Sequence, residues 1–213
     1  MRPRSAHPAP MPPTRKSLSR VCVAAALAVS AAAAQTAPPE KPQVQSLPDG
    51  QHDFDWEFGT WTTKVRVLRN PLSRAAPKWA EYQGTSVIRP VAGGRFNLVE
   101  LSVQGPAGRI EGASLRLYNP QSHRWSLNYA NVRSGNLTTP VEGHFDGRSR
   151  GIFYANDMLE GRAIRVRFFI TEVSRSQAHF EQAYSADGGA TWETNWVADD
   201  TFVRPPSQDL QPI

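Results

Sequence analysis

From Asp53 to about Arg204 the chain alternates apolar and polar residues in short runs cut by turn dipeptides, a rhythm that few folds accept. The runs TWTTKVRVL, RFNLVELSV, ASLRLYN, RWSLNYAN, RGIFYAN, AIRVRFFI, AHFEQAYS and TWETNWVA are rich in β-branched and aromatic residues. Such side chains suit a pleated, half-buried surface. In AIRVRFFI, Ile164, Val166, Phe168 and Ile170 fall on one face of a strand, and Arg165 and Arg167 fall on the other. Asn70-Pro71, Gly93-Gly94, Gly105-Pro106, Asn119-Pro120, Asp146-Gly147 and Gly188-Gly189 punctuate the runs. No helical period follows residue 34. Nine or ten strands with short connections predict an antiparallel up-and-down meander. A sheet that long closes into a barrel or splits into a sandwich, because both arrangements remove exposed edges.

The first 52 residues have a different texture. Val21 to Ala34 reads VCVAAALAVSAAAA, preceded by Arg2, Arg4, Arg15, Lys16 and Arg20 without an acidic residue. A basic segment, an apolar run and the small residues Ala32-Ala33-Ala34 are the three parts of an export signal, with Gln35 as the expected mature N-terminus. The run is shorter than the roughly 20 residues of a membrane-spanning helix. Met1 and Met11 both serve as possible starts, since MPPTRKSLSR forms a basic segment by itself. Export to the periplasm or medium changes the meaning of the charge. The formal net charge of +5 comes entirely from residues before Val21, leaving 19 basic and 19 acidic residues afterwards. A basic partner preference, for nucleic acid or an anionic membrane, therefore loses its support. Cys22 lies inside the apolar run, so the mature chain has neither a disulfide nor a lipidation site. It must hold itself together by burying apolar surface. Residues 35–52 are rich in Pro, Gln and Ala and read as a flexible tether. The domain is expected at 53–204, followed by a tail at 205–213.

The opening of that domain, Asp53-Phe54-Asp55-Trp56-Glu57-Phe58-Gly59-Thr60-Trp61, resembles the lipocalin motif in which Gly-x-Trp begins the first strand. The resemblance implies a barrel whose Trp61 plugs the closed end, next to Gly59, with a cation from the last strand packed over the ring. Arg204 in TFVRP stands where that cation would be. The other lipocalin signature blocks are not evident. A longer resemblance runs through EYQGTSVIRPVAGGRFNLVEL, EGASLRLYNPQSHRWSLNYAN, GRAIRVRFFI and FEQAYSADGGATWETNWVADDT. These blocks look like a family of exported bacterial proteins catalogued as a domain of unknown function and grouped with the calycin-like barrels. The resemblance implies an all-β calycin-like barrel of about 8–10 strands and brings no activity, ligand or catalytic residue.

Ser185-Ala186-Asp187-Gly188-Gly189-Ala190-Thr191-Trp192 fits the Asp-box turn that recurs in sialidase propellers. Asp187 would tie the turn backbone and Gly189 would permit positive φ, while Trp192 packs beneath. One such box is a hairpin staple and carries no chemistry. No Gly-x-Ser-x-Gly or His-Glu-x-x-His motif is present, and His52, His123, His144 and His179 lack metal-ligand spacing. Neither a catalytic residue nor a metal ligand is assigned.

Polar residues embedded in apolar strands are the candidate ligand contacts: Glu100, Glu111, Arg116, Asn128, Glu181 and Gln182. Tyr118, Tyr129, Tyr184, Trp192 and Trp196 would supply aromatic walls. A wide barrel turns such groups inward around a pocket, whereas a wet outer face accommodates them equally. For Glu100, Glu111 and Glu181 both parities carry apolar residues, and either face fits. The leading function is binding of a small hydrophobic or amphipathic molecule without turnover, with no nucleic-acid partner and no cofactor. One alternative is a haem-binding or enzymatic barrel using His144 or His179 if either points inward. Another is a structural barrel with a filled interior.

Overall fold

A computed structural model describes residues 47–147 and 149–206. The export signal, most of the tether and most of the tail lie outside these residues. After a single 3-10 turn at Asp55–Glu57 come ten strands: β1 Gly59–Leu68, β2 Trp79–Val91, β3 Phe96–Gly105, β4 Gly108–Asn119, β5 Arg124–Asn131, β6 Val141–Phe145, β7 Arg150–Leu159, β8 Arg162–Ser174, β9 Gln177–Ser185 and β10 Glu193–Arg204. Each strand pairs antiparallel with the next, and β10 returns to β1 to close the barrel. Closure runs through Trp61↔Phe202, Thr63↔Asp200 and Val65↔Ala198. The fold is the expected all-β, closed up-and-down meander, and it answers the edge problem by leaving no free edge.

The alternation read from the sequence sorts side chains as a barrel requires. On β8, Ile164, Val166 and Ile170 are buried in the interior. Arg165 and Arg167 stand on the outer face, where Arg167 lies 4.6 Å from the Trp192 ring and 4.3 Å from that of Phe169. Long arginine stems thereby cover aromatic surface while their charges reach water.

An aromatic cluster seals one end of the barrel. Phe54 is fully buried and meets Trp125 and Phe145 edge-on, with both centroid distances at 4.9 Å. Trp61, 1% exposed, donates from Nε1 to the Glu57 carbonyl at 2.7 Å and packs edge-on against Phe202 at 5.1 Å. The plug is present, but its partner differs from the expected one. Arg204 is exposed, and the ring surface of Trp61 is taken by Phe202 and Trp56. Arg204 contributes backbone instead. A Cβ on Gly59, whose φ is +145°, would lie 2.6 Å from the Arg204 carbonyl oxygen and 2.7 Å from the Phe202 ring. Gly59 is therefore required both by its conformation and by the close approach of β10.

The Asp box is the turn between β9 and β10. Ser185 Oγ donates to Asp187 Oδ1 at 2.7 Å, and the Thr191 amide donates to the same carboxylate at 2.9 Å. Hydrogen bonds from Thr191, then from Ser185, hold the Asp187 carboxyl well below the usual carboxylate range. Gly189 adopts φ of +100°, and Trp192 Nε1 closes the turn on the Gly189 carbonyl at 3.0 Å. Most of the motif's hydrogen bonds stay within the turn, and the Gly188 carbonyl accepts from Arg165 of β8 at 3.0 Å.

Candidate functional site: a cavity inside the barrel

Between the aromatic end and the opposite rim the interior encloses a cavity of about 230 Å³. That exceeds the roughly 150 Å³ that accommodates benzene in an engineered core. It falls below the roughly 300 Å³ at which drug-sized and cofactor sites begin. β5 and β6 share only Trp125↔Gly143, Ser126↔Glu142 and Leu127↔Val141. The connection between them returns to β5 through the Thr138 amide, which donates to the Tyr129 carbonyl at 2.8 Å, and Thr138 and Thr139 line the cavity. Side chains therefore leave part of the interior open.

The wall is mainly apolar, with Val65, Leu101, Leu127, Val166, Phe168 and Trp196 turned inward. A polar group stands at one side. Arg116, 6% exposed, makes a two-pronged ion pair with Glu57, 8% exposed, with Nη2 reaching Oε1 at 3.3 Å and Nη1 bonding Oε2. Its guanidinium also covers the Phe54 ring at 4.2 Å. Arg116 is thus the buried cation of the barrel, occupying the role expected of Arg204 but on Phe54 instead of Trp61. A buried pair of this kind requires good geometry, because desolvating either charge alone is costly.

Asp200 on β10 faces the same space. Burial pushes its carboxyl up to about 6, with Glu57 and Asp199 adding to the shift and Thr63 and Arg116 opposing it. Because the folded chain holds this proton more tightly than the unfolded one, Asp200 lowers stability as pH rises from about 4 to about 6. Several buried polar atoms here have no protein partner among the described residues: Thr63 Oγ1, Arg116 Nε, Tyr129 Oη and Asp200 Oδ1. Buried polar groups are normally paired. These four belong to residues that line the cavity, which makes its wall the most polar part of the interior.

The barrel gathers only part of the sequence-derived candidate set. Arg116, Tyr129, Gln182, Tyr184 and Trp196 line the cavity. Gln182 Nε2 donates to Asn195 Oδ1 at 3.1 Å, and burial raises the phenols of Tyr129 and Tyr184. The carboxylates do not join them. Glu100 is exposed with Arg89 3.9 Å away, Glu111 pairs with Arg109 at 2.8 Å, and Glu181 lies 3.6 Å from Arg167 on the outer face. Asn128 alternates with the inward Leu127 and Tyr129 and donates to the Leu115 carbonyl at 3.2 Å. Trp192 stacks outside. Tyr118 belongs to the closed end, where Oη donates to Asp49 at 2.7 Å and packs its ring 5.3 Å from Trp125.

Of the two histidines, His144 lies away from the cavity and His179 borders it. His144 alternates with Gly143 and Phe145, and its neighbours in the sheet turn inward. His179 alternates in parity with Ala178 and Phe180, pairs with Asp199 at 2.8 Å, and still borders the cavity. Sequence reasoning missed Glu57, Thr63 and Asp200. The available signal for Asp200 was its parity with Trp196, Ala198 and Phe202 on β10.

No protein-family model matches the chain, and no curated protein does. Solved structures match its fold. Rv2717c from M. tuberculosis is similar at 12% identity and a TM-score of 0.51, over 75% of this chain and 100% of that one. The S-type phycobiliprotein lyase CPES from Guillardia theta aligns at 12% identity and a TM-score of 0.49, covering 72% of this chain and 92% of that one. EF1p2_mFAP2b bound to DFHBI aligns at 12% identity and a TM-score of 0.40, covering 72% and 98%. At such identity the likeness is one of fold alone, a closed antiparallel barrel.

Proposed function

We propose that the protein is an exported barrel that binds a small, mainly apolar molecule carrying a polar head, within the family of exported proteins that its sequence blocks resemble. The observation that carries this reading is the cavity of about 230 Å³, whose apolar wall is interrupted by buried polar atoms without protein partners. An apolar body would gain from leaving water, and the head would satisfy groups that otherwise cost free energy. The volume favours a molecule of one or two rings.

Cavity filling tests the reading. Ala198 lines the cavity, so Ala198→Phe should occupy the space a ligand needs. Calorimetric titration with small aromatics should show saturable binding to the natural chain and loss of at least about tenfold in the variant, the scale set by 1.4 kcal/mol. Equal affinity in both proteins would place binding elsewhere. Mass spectrometry of protein purified natively from its own host should show a co-purifying small molecule.

Export is tested separately. N-terminal sequencing of protein recovered from the periplasm or medium should begin at or near Gln35. Full-length protein found only in the cytoplasm would overturn the export proposal and leave the cavity reading intact.

A further inference from the structure

Resting on the binding reading above, we propose that the cavity selects a small organic cation, an amine on a compact aromatic or branched apolar body, and seats its ammonium group against the Asp200 carboxylate and the Thr63 hydroxyl. The argument begins with the charges of the lining. Among the described residues that line the cavity, the carboxylates of Glu57, Asp157 and Asp200 face one guanidinium, Arg116. That cation is already committed. Both of its terminal nitrogens are engaged by Glu57, and its flat face lies on Phe54 at 4.2 Å. Only Arg116 Nε is left without a partner, and an anionic head bonded there would add a further negative charge to a lining that already holds three carboxylates.

Asp157 stands at the rim, where it accepts from Thr139 Oγ1 at 3.1 Å and from the Met158 amide at 2.8 Å. Asp200 has one hydrogen-bonding neighbour, the Thr63 hydroxyl across the β1–β10 pair, whose hydrogen bond lowers its pKa against the larger effect of burial. Thr63 is 2% exposed and lines the cavity beside Asp200, so its hydroxyl can donate to that carboxylate and keep a lone pair for a ligand donor. An ammonium group brings several donors and no acceptor. It suits a carboxylate that has a hydroxyl beside it and makes no ion pair among the described residues.

The surroundings sharpen the preference. Glu57 approaches Asp200 from the 3-10 turn, and Asp199 adjoins it on the same strand but faces outward to His179 of β9 at 2.8 Å. Arg116 from β4 is the one opposing cation, and it falls short of cancelling the effect of burial, which leaves the carboxyl titrating at about 6. A bound cation supplies the missing counter-charge. Below pH 6 the ligand must first displace a proton, so affinity falls by up to tenfold per pH unit.

Three probes of nearly equal shape test this on the whole mature protein: 2-phenylethylamine, 2-phenylethanol and 3-phenylpropionate, each titrated by calorimetry at pH 7.5 and 5.0. The amine should bind about tenfold or more tightly than the alcohol at pH 7.5, the scale of a charge-assisted hydrogen bond. It should lose about tenfold at pH 5.0 while the alcohol is unchanged. The carboxylate should be the weakest of the three at pH 7.5. Asp200→Asn should abolish the amine preference and retain the alcohol, whose binding then reports an intact cavity. Where Asp200→Asn does not fold, Thr63→Val and the pH profile of the natural chain give the same comparison. An alcohol that binds as tightly as the amine at pH 7.5, or a carboxylate that binds most tightly, would overturn the cation inference while leaving the binding reading standing. Failure of all three probes to bind would remove both.

Discussion

Trp61→Ala is expected to cost about 3–5 kcal/mol of folding stability, the range for truncating a large aromatic side chain in a packed core. Trp61 is 1% exposed, and its ring touches Phe202, Trp56 and Ile88 at the closed end. Three losses coincide on truncation. The apolar area leaves the core, the void is bounded by strands β1 and β10 that are tied by closure, and the Glu57 carbonyl loses its 2.7 Å donor. Trp61→Phe should cost less, because the ring is mostly replaced while the donor is lost. Urea unfolding followed by circular dichroism measures both. A midpoint for Trp61→Ala within error of the natural chain would show that the plug does not hold the barrel.

Arg116→Met should be about as damaging, by roughly 3–5 kcal/mol, for a different reason. Removing the guanidinium leaves Glu57, 8% exposed, as a buried charge without its partner, while the Phe54 face loses its cation at 4.2 Å. The penalty belongs to the abandoned charge more than to the lost attraction. Replacing both residues, in Glu57→Leu with Arg116→Met, should therefore recover most of the loss. Two apolar side chains of similar volume are often as stable as a buried pair. Equal stability of the single and double variants would mean that Glu57 finds water once Arg116 is gone. A large recovery supports a dry pair, and its coupling energy follows from the double-mutant cycle.

The alternation of apolar and polar residues carried much of this fold into view. In β8 every second residue is apolar and the others include arginines, so only one assignment of faces buries the apolar set. Turn dipeptides marked most of the strand ends, and the Asp box announced its own hairpin because the bonds of Ser185, Asp187 and Trp192 are local. Gly-x-Trp located the closed end for a similar reason: Gly59 is needed where β10 passes close by.

The site was harder to read. Glu100, Glu111 and Glu181 sit in strands where both parities hold apolar residues, and the outer face could accept them as readily as the inner one. What decides is register around a closed sheet, since a slip of one residue turns every side chain over. The irregularity between Thr194 and Trp196 shows how little is needed. Without it, Thr194 and Trp196 would share a face. With it, Thr194 donates outward to Glu181 at 3.1 Å and Trp196 turns into the cavity. The same parity carries Asp200 inward, opposite Thr63, and leaves Asp199 outside with His179.

By itself, the sequence determined the all-β meander, its turns and the need to close, because these follow from short-range periodicity and local backbone chemistry. Tertiary structure alone decided which polar side chains meet inside. Glu57 and Arg116 are 59 residues apart along the chain, and Thr63 and Asp200 face each other only because the last strand pairs with the first. Such partners share no local pattern. They are brought together by closure and register, which depend on the energy of the whole sheet.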